Sequence, residues 1–119
     1  MHKTLIPLLA SVLAVPMAAQ AGPADYPTID RVIFVNECMQ SNGANLDTMY
    51  KCSCVMDQLT QTLSYDQFSD GDVATHGANT MGERSGLFRD PEHVRGNAKT
   101  LTSAKADAAK ACNFNAKNL

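Results

Sequence analysis

Apolar positions along this chain recur at helical rather than strand spacing. From Thr28 to Gln40, Ile29, Val32, Ile33, Val35 and Met39 return every three or four residues, which predicts a helix with Thr28 or Asp30 as its N-cap. The stretch Ser41-Asn42-Gly43-Ala44-Asn45 interrupts the pattern and re-caps the next helix. Between about Leu46 and Leu63 the periodicity is cleanest. Met49, Cys52, Met56, Leu59 and Leu63 make one stripe with Val55 beside it, and Cys54 falls on the other side among Asp47, Lys51, Gln58 and Gln61. Ser64-Tyr65-Asp66-Gln67 has the S-x-x-Q form of a capping box, so a third helix starts there, with its far end blurred by Gly71, Gly77 and Asn79. Met81 to Pro91 reads as a loop whose apolar pair, Leu87-Phe88, folds back onto the core. Asp90 as N-cap and Pro91 in the first turn open a last helix. It carries Val94, Ala98, Leu101, Ala104, Ala108 and Cys112 on one stripe and ends near Asn113. With no strand-like alternation, internal repeat or low-complexity tract, the fold class is all-α, a small bundle of three to four helices.

The N-terminus changes the picture. Lys3, the apolar run Leu5 to Met17 and the small-residue site Ala19-Gln20-Ala21 have the organisation of a secretory signal peptide cut after Ala21. The apolar run is too short for a membrane span and is broken by Pro7 and Pro16. Residues 1–21 are therefore read as a leader, 22–27 as a flexible lead-in, 28–115 as one helical domain and 116–119 as a tail. After the leader the chain has 98 residues, 12 Asp plus Glu and 9 Lys plus Arg, the tenth being Lys3. That length suits one small domain. The scattered charge and net −3 disfavour nucleic-acid binding, which needs a clustered basic face. Export to an oxidising compartment, for which a bacterial periplasm is the expectation, would let disulfides support a core that is small and Ala-rich.

Four cysteines, Cys38, Cys52, Cys54 and Cys112, allow three pairings. Residues two apart in a helix lie about 200° apart around its axis, so Cys52 and Cys54 point away from each other and should not bond together. In a hairpin turning near Gly43, Cys38 comes about 6 Å along the axis from the level of Cys52. This prefers Cys38–Cys52 with Cys54–Cys112 and leaves the crossed pairing open. The alternative chemistry for Cys52 and Cys54 is thiol redox exchange or soft-metal (Cu or Zn) binding with Met49, Met56, His76 or His93. Against it, Cys52 lies two turns from a helix N-terminus, the methionines have core spacing and the histidines are isolated. Asp66, Asp70 and Asp72 around Gly71 depart from the spacing of a calcium loop. Single Ser, Asp and His residues without a marked nucleophile–base pair give no enzymatic signature, and no cofactor is expected.

The segment Gly82-Glu83-Arg84-Ser85-Gly86-Leu87-Phe88-Arg89-Asp90 remains as a recognition surface, in which Arg84, Leu87, Phe88, Arg89 and Asp90 combine apolar anchors with charge. Its bland counterpart is Phe88 packed into the domain's own core with both arginines solvated. The motifs Phe34-Val35-x-x-Cys38, Tyr50-Lys51-Cys52-Ser53-Cys54-Val55-x-Asp57, Leu63-Ser64-Tyr65-Asp66-x-Phe68, Gly82-Glu83, Phe88-Arg89-Asp90 and Cys112 resemble a group of small exported bacterial proteins of uncharacterised function. That resemblance implies a periplasmic, disulfide-bonded helical domain and carries no catalytic residues over. The expected role is a non-enzymatic binding or accessory protein with another exported protein as partner. An immunity protein against a secreted toxin would use the same scaffold.

Overall fold

A computed structural model describes residues 26–79, 82, 84 and 86–119. The leader 1–21, residues 22–25 of the lead-in, and Met81, Glu83 and Ser85 of the proposed loop lie outside the described residues. Four long helices carry the fold: α1 (Thr28–Asn42), α2 (Leu46–Thr62), α3 (Tyr65–Ala78) and α5 (Glu92–Ala111). A one-turn helix, α4 (Gly86–Arg89), sits within the segment read as loop. No strand occurs among the described residues.

The local signals act where their chemistry places them. Asn45 caps α2 by accepting the Thr48 N–H at 2.9 Å. Ser64 and Gln67 form the reciprocal capping box at the start of α3, so two backbone N–H groups are satisfied at once. The final helix starts one residue later than expected. The Asp90 N–H already closes α4 on the Gly86 carbonyl, which leaves Pro91, in extended conformation, as the boundary residue of α5.

α1 and α2 form an antiparallel hairpin, since Cys38–Cys52 and Arg31–Asp57 link them in opposite chain order. The second disulfide, Cys54–Cys112, ties the opposite side of α2 to the end of α5. Cys52, Val55, Met56, Leu59 and Leu101 are the most deeply buried side chains. Each apolar one of that size contributes about 1.5–3 kcal/mol on burial. Tyr26, assigned by its position to the lead-in, is a core residue at 4% exposure. Its hydroxyl donates to the carbonyls of Leu63 and Ser64 at 3.1 and 3.2 Å, and its ring meets those of Tyr65 and Phe68. The tail is also tied down, because the Asn42 side chain accepts from the Lys117 N–H and donates to the Asn118 carbonyl.

Two expectations about faces are corrected. In α1 the inward residues are Phe34 and Cys38, with Val35 and Met39 half-buried, while Ile29, Val32 and Ile33 are exposed. Apolar and polar side chains are interleaved all round the helix, and the side that carries the Cys38 bond is the one that turns inward. On α2, Met49 is also exposed. It lines a groove of about 360 Å³ between α1 and α2 with Val32, Val35 and Met56, rimmed by the Arg31–Asp57 ion pair.

Candidate functional site

Three features carry chemistry or shape: the sulfurs, the α4 segment, and a cleft between α1, α3 and α5. The sulfurs are taken up in two disulfides with Cα–Cα separations of 5.9 and 6.0 Å, in the pairing preferred from the hairpin geometry. Cys52 is fully buried and Cys38 nearly so, which seals the first bond from solvent. Met56 is in the core beside them. Asp66, Asp70 and Asp72 are on the helical turns of α3 rather than in a loop. Among the described residues no group of three His, Cys, Asp or Glu side chains converges as metal ligands.

The α4 segment divides its apolar pair. Phe88 is half-buried against the backbone of α3, where a Cβ on Gly77 would fall 2.3 Å from its ring. Gly77 is thus the notch that receives the ring. Leu87 does not fold back; it stands 68% exposed, with Arg84, Arg89 and Asp90 also exposed around it. One-turn geometry accounts for the split, because adjacent helical side chains point about 100° apart and only one of the two can face α3.

The apolar surface continues from there. Val73, 56% exposed on α3, borders a recess of about 350 Å³ shared with Phe88, His93 and Val94. Val73 also borders a second recess with Ile33, Phe34 and Tyr65. Phe88, Val73 and Ile33 therefore border two recesses that meet at Val73, drawn from three helices. Charge is distributed unevenly along the chain as well. Residues 26–79 contain seven acidic and two basic side chains, whereas residues 80–119 contain seven basic and four acidic.

The cleft was not anticipated from the sequence. Lys105 lies on the apolar stripe of α5 and is only 7% exposed. Its Nζ sits 5.5 Å from the centroid of the Phe34 ring, a cation–π distance. Burial pushes its pKa below the ordinary lysine value, with Asp72 and Glu37 pulling partly the other way. His76 is held between the same two acids, with Nε2 at 3.4 Å from Glu37 Oε2 and Nδ1 at 3.3 Å from Asp72 Oδ1. Phe34, Glu37, Thr75, His76 and Lys105 line a cleft of about 310 Å³. The one sequence signal for Lys105 is its register, four residues after Leu101 and three before Ala108 on the buried side.

The largest cleft, about 560 Å³, runs between α2 and α5 past Gln58, Thr62, Lys99, Ser103 and Asp107. It is shallow in chemistry, with hydroxyls and amides and no aromatic or buried charge. No family model, curated protein or solved structure matches the chain. The geometry is that of a small helical protein stapled by two disulfides.

Proposed function

We propose that the chain is a non-enzymatic binding protein, exported through its leader to a periplasmic compartment, that docks another exported protein through the side shared by α4, α3 and α1. The observation that carries this reading is the division of Leu87 from Phe88. Phe88 fastens α4 into the Gly77 notch, so Leu87 is presented at 68% exposure from a held turn rather than from a free loop. An apolar side chain displayed on a preorganised frame loses little ordering entropy on association. Val73 and Ile33 add exposed apolar side chains on α3 and α1, at the recesses that Phe88 and Phe34 line, and exposed apolar area of this kind marks interaction surfaces.

Arg84 and Arg89 at the α4 end, beside recesses lined by Asp70, Asp72, Asp30 and Glu37, favour a partner that presents both signs of charge. Such complementarity acts mainly on encounter rate and specificity. The motifs shared with small exported bacterial proteins, the leader and the two disulfides all support the compartment. Cys38 and Cys52 are bonded in the core and Cys54 to Cys112, which supports a structural role for the sulfurs over thiol exchange or copper binding.

The test is co-purification from the native compartment with Leu87→Glu, Val73→Glu double-variant protein beside the wild type. Both forms should melt alike, because neither side chain is buried, and the variant should lose the partner that the wild type retains. Recovery of the same partner by both forms in equal yield would overturn the reading. Replacing Arg84 and Arg89 by Glu should weaken the complex chiefly at low salt.

A further inference from the structure

We propose that Lys105 is a carbonyl-capturing amine, a site in the cleft between α1, α3 and α5 that forms a Schiff base with a small aldehyde. The geometry isolates one amine from the other lysines. Among the described residues no carboxylate lies within 4 Å of Lys105 Nζ, and its near neighbour is the face of Phe34. No buried side-chain nitrogen or oxygen is left without a partner among the described residues. Nζ therefore meets solvent, and the cleft that Lys105 lines is its route. Enclosed in a narrow cleft, the ammonium is poorly hydrated, which outweighs the Phe34 face, Asp72 and Glu37 that favour the charged form, and desolvated lysines of this kind supply the free amine that attacks carbonyl carbon. The downward shift of its pKa accords with that placement.

The step balances without an oxidant or reductant. The amine lone pair forms the N–C bond while the C=O π pair moves to oxygen, which takes up a proton as nitrogen gives one up. The carbinolamine hydroxyl then leaves as water on accepting a second proton, and the nitrogen lone pair closes C=N. Glu37 and His76 line the same cleft and are the groups able to carry these protons. The volume of about 310 Å³ admits an aldehyde of a few carbons. Lys105 and His76 do not line the recesses of the proposed docking side, although Phe34 and Glu37 border both the cleft and the recess at Val73, and the amine chemistry does not depend on the binding role.

The experiment uses the full disulfide-bonded protein with propionaldehyde as probe and cyanoborohydride to reduce the imine as it forms, at pH 7. Peptide mass mapping then gives the labelling rate at each lysine. Lys105 should label at least about fivefold faster than the mean of Lys51, Lys99, Lys110 and Lys117, since each unit of lowered pKa releases about tenfold more free amine. That advantage should shrink as the pH of the labelling is raised toward 11. A smaller advantage at pH 7, or labelling of Lys105 slower than the exposed lysines, overturns the proposal. Lys105→Arg should abolish the fast adduct. If that variant does not fold, the site-resolved rates in the wild type still decide the matter.

Discussion

At the scale of single residues, two buried titratable groups give the protein an alkaline response with opposing slopes. Tyr26 is pushed up to about 12 by burial. Its folded phenol keeps its proton where the unfolded one loses it, so its contribution is complete below about pH 10 and falls as pH rises toward 12. The loss is up to about 2 kcal/mol. Lys105 works the other way. Its folded pKa lies below 10.5, so the unfolded chain binds more protons in that window and stability rises with pH up to about 10.5. Urea unfolding at pH 8, 10 and 11.5 should show the net result. Tyr26→Phe should flatten the fall above pH 10 while costing about 1 kcal/mol at pH 8 through the lost bonds to Leu63 and Ser64. Lys105→Met should remove the rise and be near neutral or stabilising at pH 7, because a methionine fills the site without a buried charge. An Ala-like loss of several kcal/mol for Lys105→Met would mean that the ammonium is well paired after all. Neither residue stood out in the sequence. A tyrosine between two prolines and a lysine in a helix full of alanine are ordinary surface signals until tertiary contacts enclose them.

At the scale of elements, close approach rather than periodicity decides the packing. On α3, a Cβ on Gly71 would lie 2.6 Å from Leu101 Cβ and 3.0 Å from the Asn97 carbonyl, both on α5. Backbone and Cβ cannot swing aside as a side-chain tip can. Gly71→Ala should therefore destabilise by about 1–3 kcal/mol, although the same change in an open helix would gain up to about 1 kcal/mol. The sign of the shift in a chemical denaturation midpoint checks this. Gly77→Ala meets the Phe88 ring instead, and that ring can be expelled. Its expected effect is release of α4, read as faster proteolysis near Arg84 and Arg89, with a smaller change in global stability than Gly71→Ala. Helix positions and the caps of α2 and α3 were legible because propensity, capping chemistry and spacing agreed there, as at Ser64-Tyr65-Asp66-Gln67, whereas Pro27 and Pro91, without side-chain caps, hold the boundaries expected of Thr28 or Asp30 and of Asp90. The inward face of α1 was not, because Ile29, Val32 and Ile33 compete with Phe34 and Cys38, and apolar and polar side chains are interleaved all round that helix. Only the partner of Cys38 breaks the tie. The pair Phe34 and Cys38, four residues apart with the cysteine bonded to α2, was the available clue.

At the scale of the whole molecule, the two disulfides divide the work unequally. Cys38–Cys52 spans 14 residues and holds a hairpin in which the Arg31–Asp57 ion pair also links α1 to α2 and Val35 and Met56 line the groove between them. Cys54–Cys112 spans 58 residues and encloses the second half of α2, α3, α4 and all of α5, so it restricts the unfolded chain more. Loop-closure entropy assigns about 3 kcal/mol to the first and about 4 kcal/mol to the second. Burial favours a different ranking for the side chains themselves. Replacing Cys38 and Cys52 by serine would leave hydroxyls in a region that is almost sealed, whereas Cys54 and Cys112 are half-buried and tolerate polar substitution. Alanine pairs remove that confusion. With Cys54→Ala, Cys112→Ala the denaturation midpoint should fall further than with Cys38→Ala, Cys52→Ala after the cavity cost of the buried pair is gauged from the reduced wild type. The far end of α5 should also lose amide-exchange protection before α2 does. If removal of the 58-residue link leaves protection across Ala104 to Cys112 unchanged, helix packing alone holds α5 on α2, and the clamp is a safeguard of the folded chain rather than a condition of the fold.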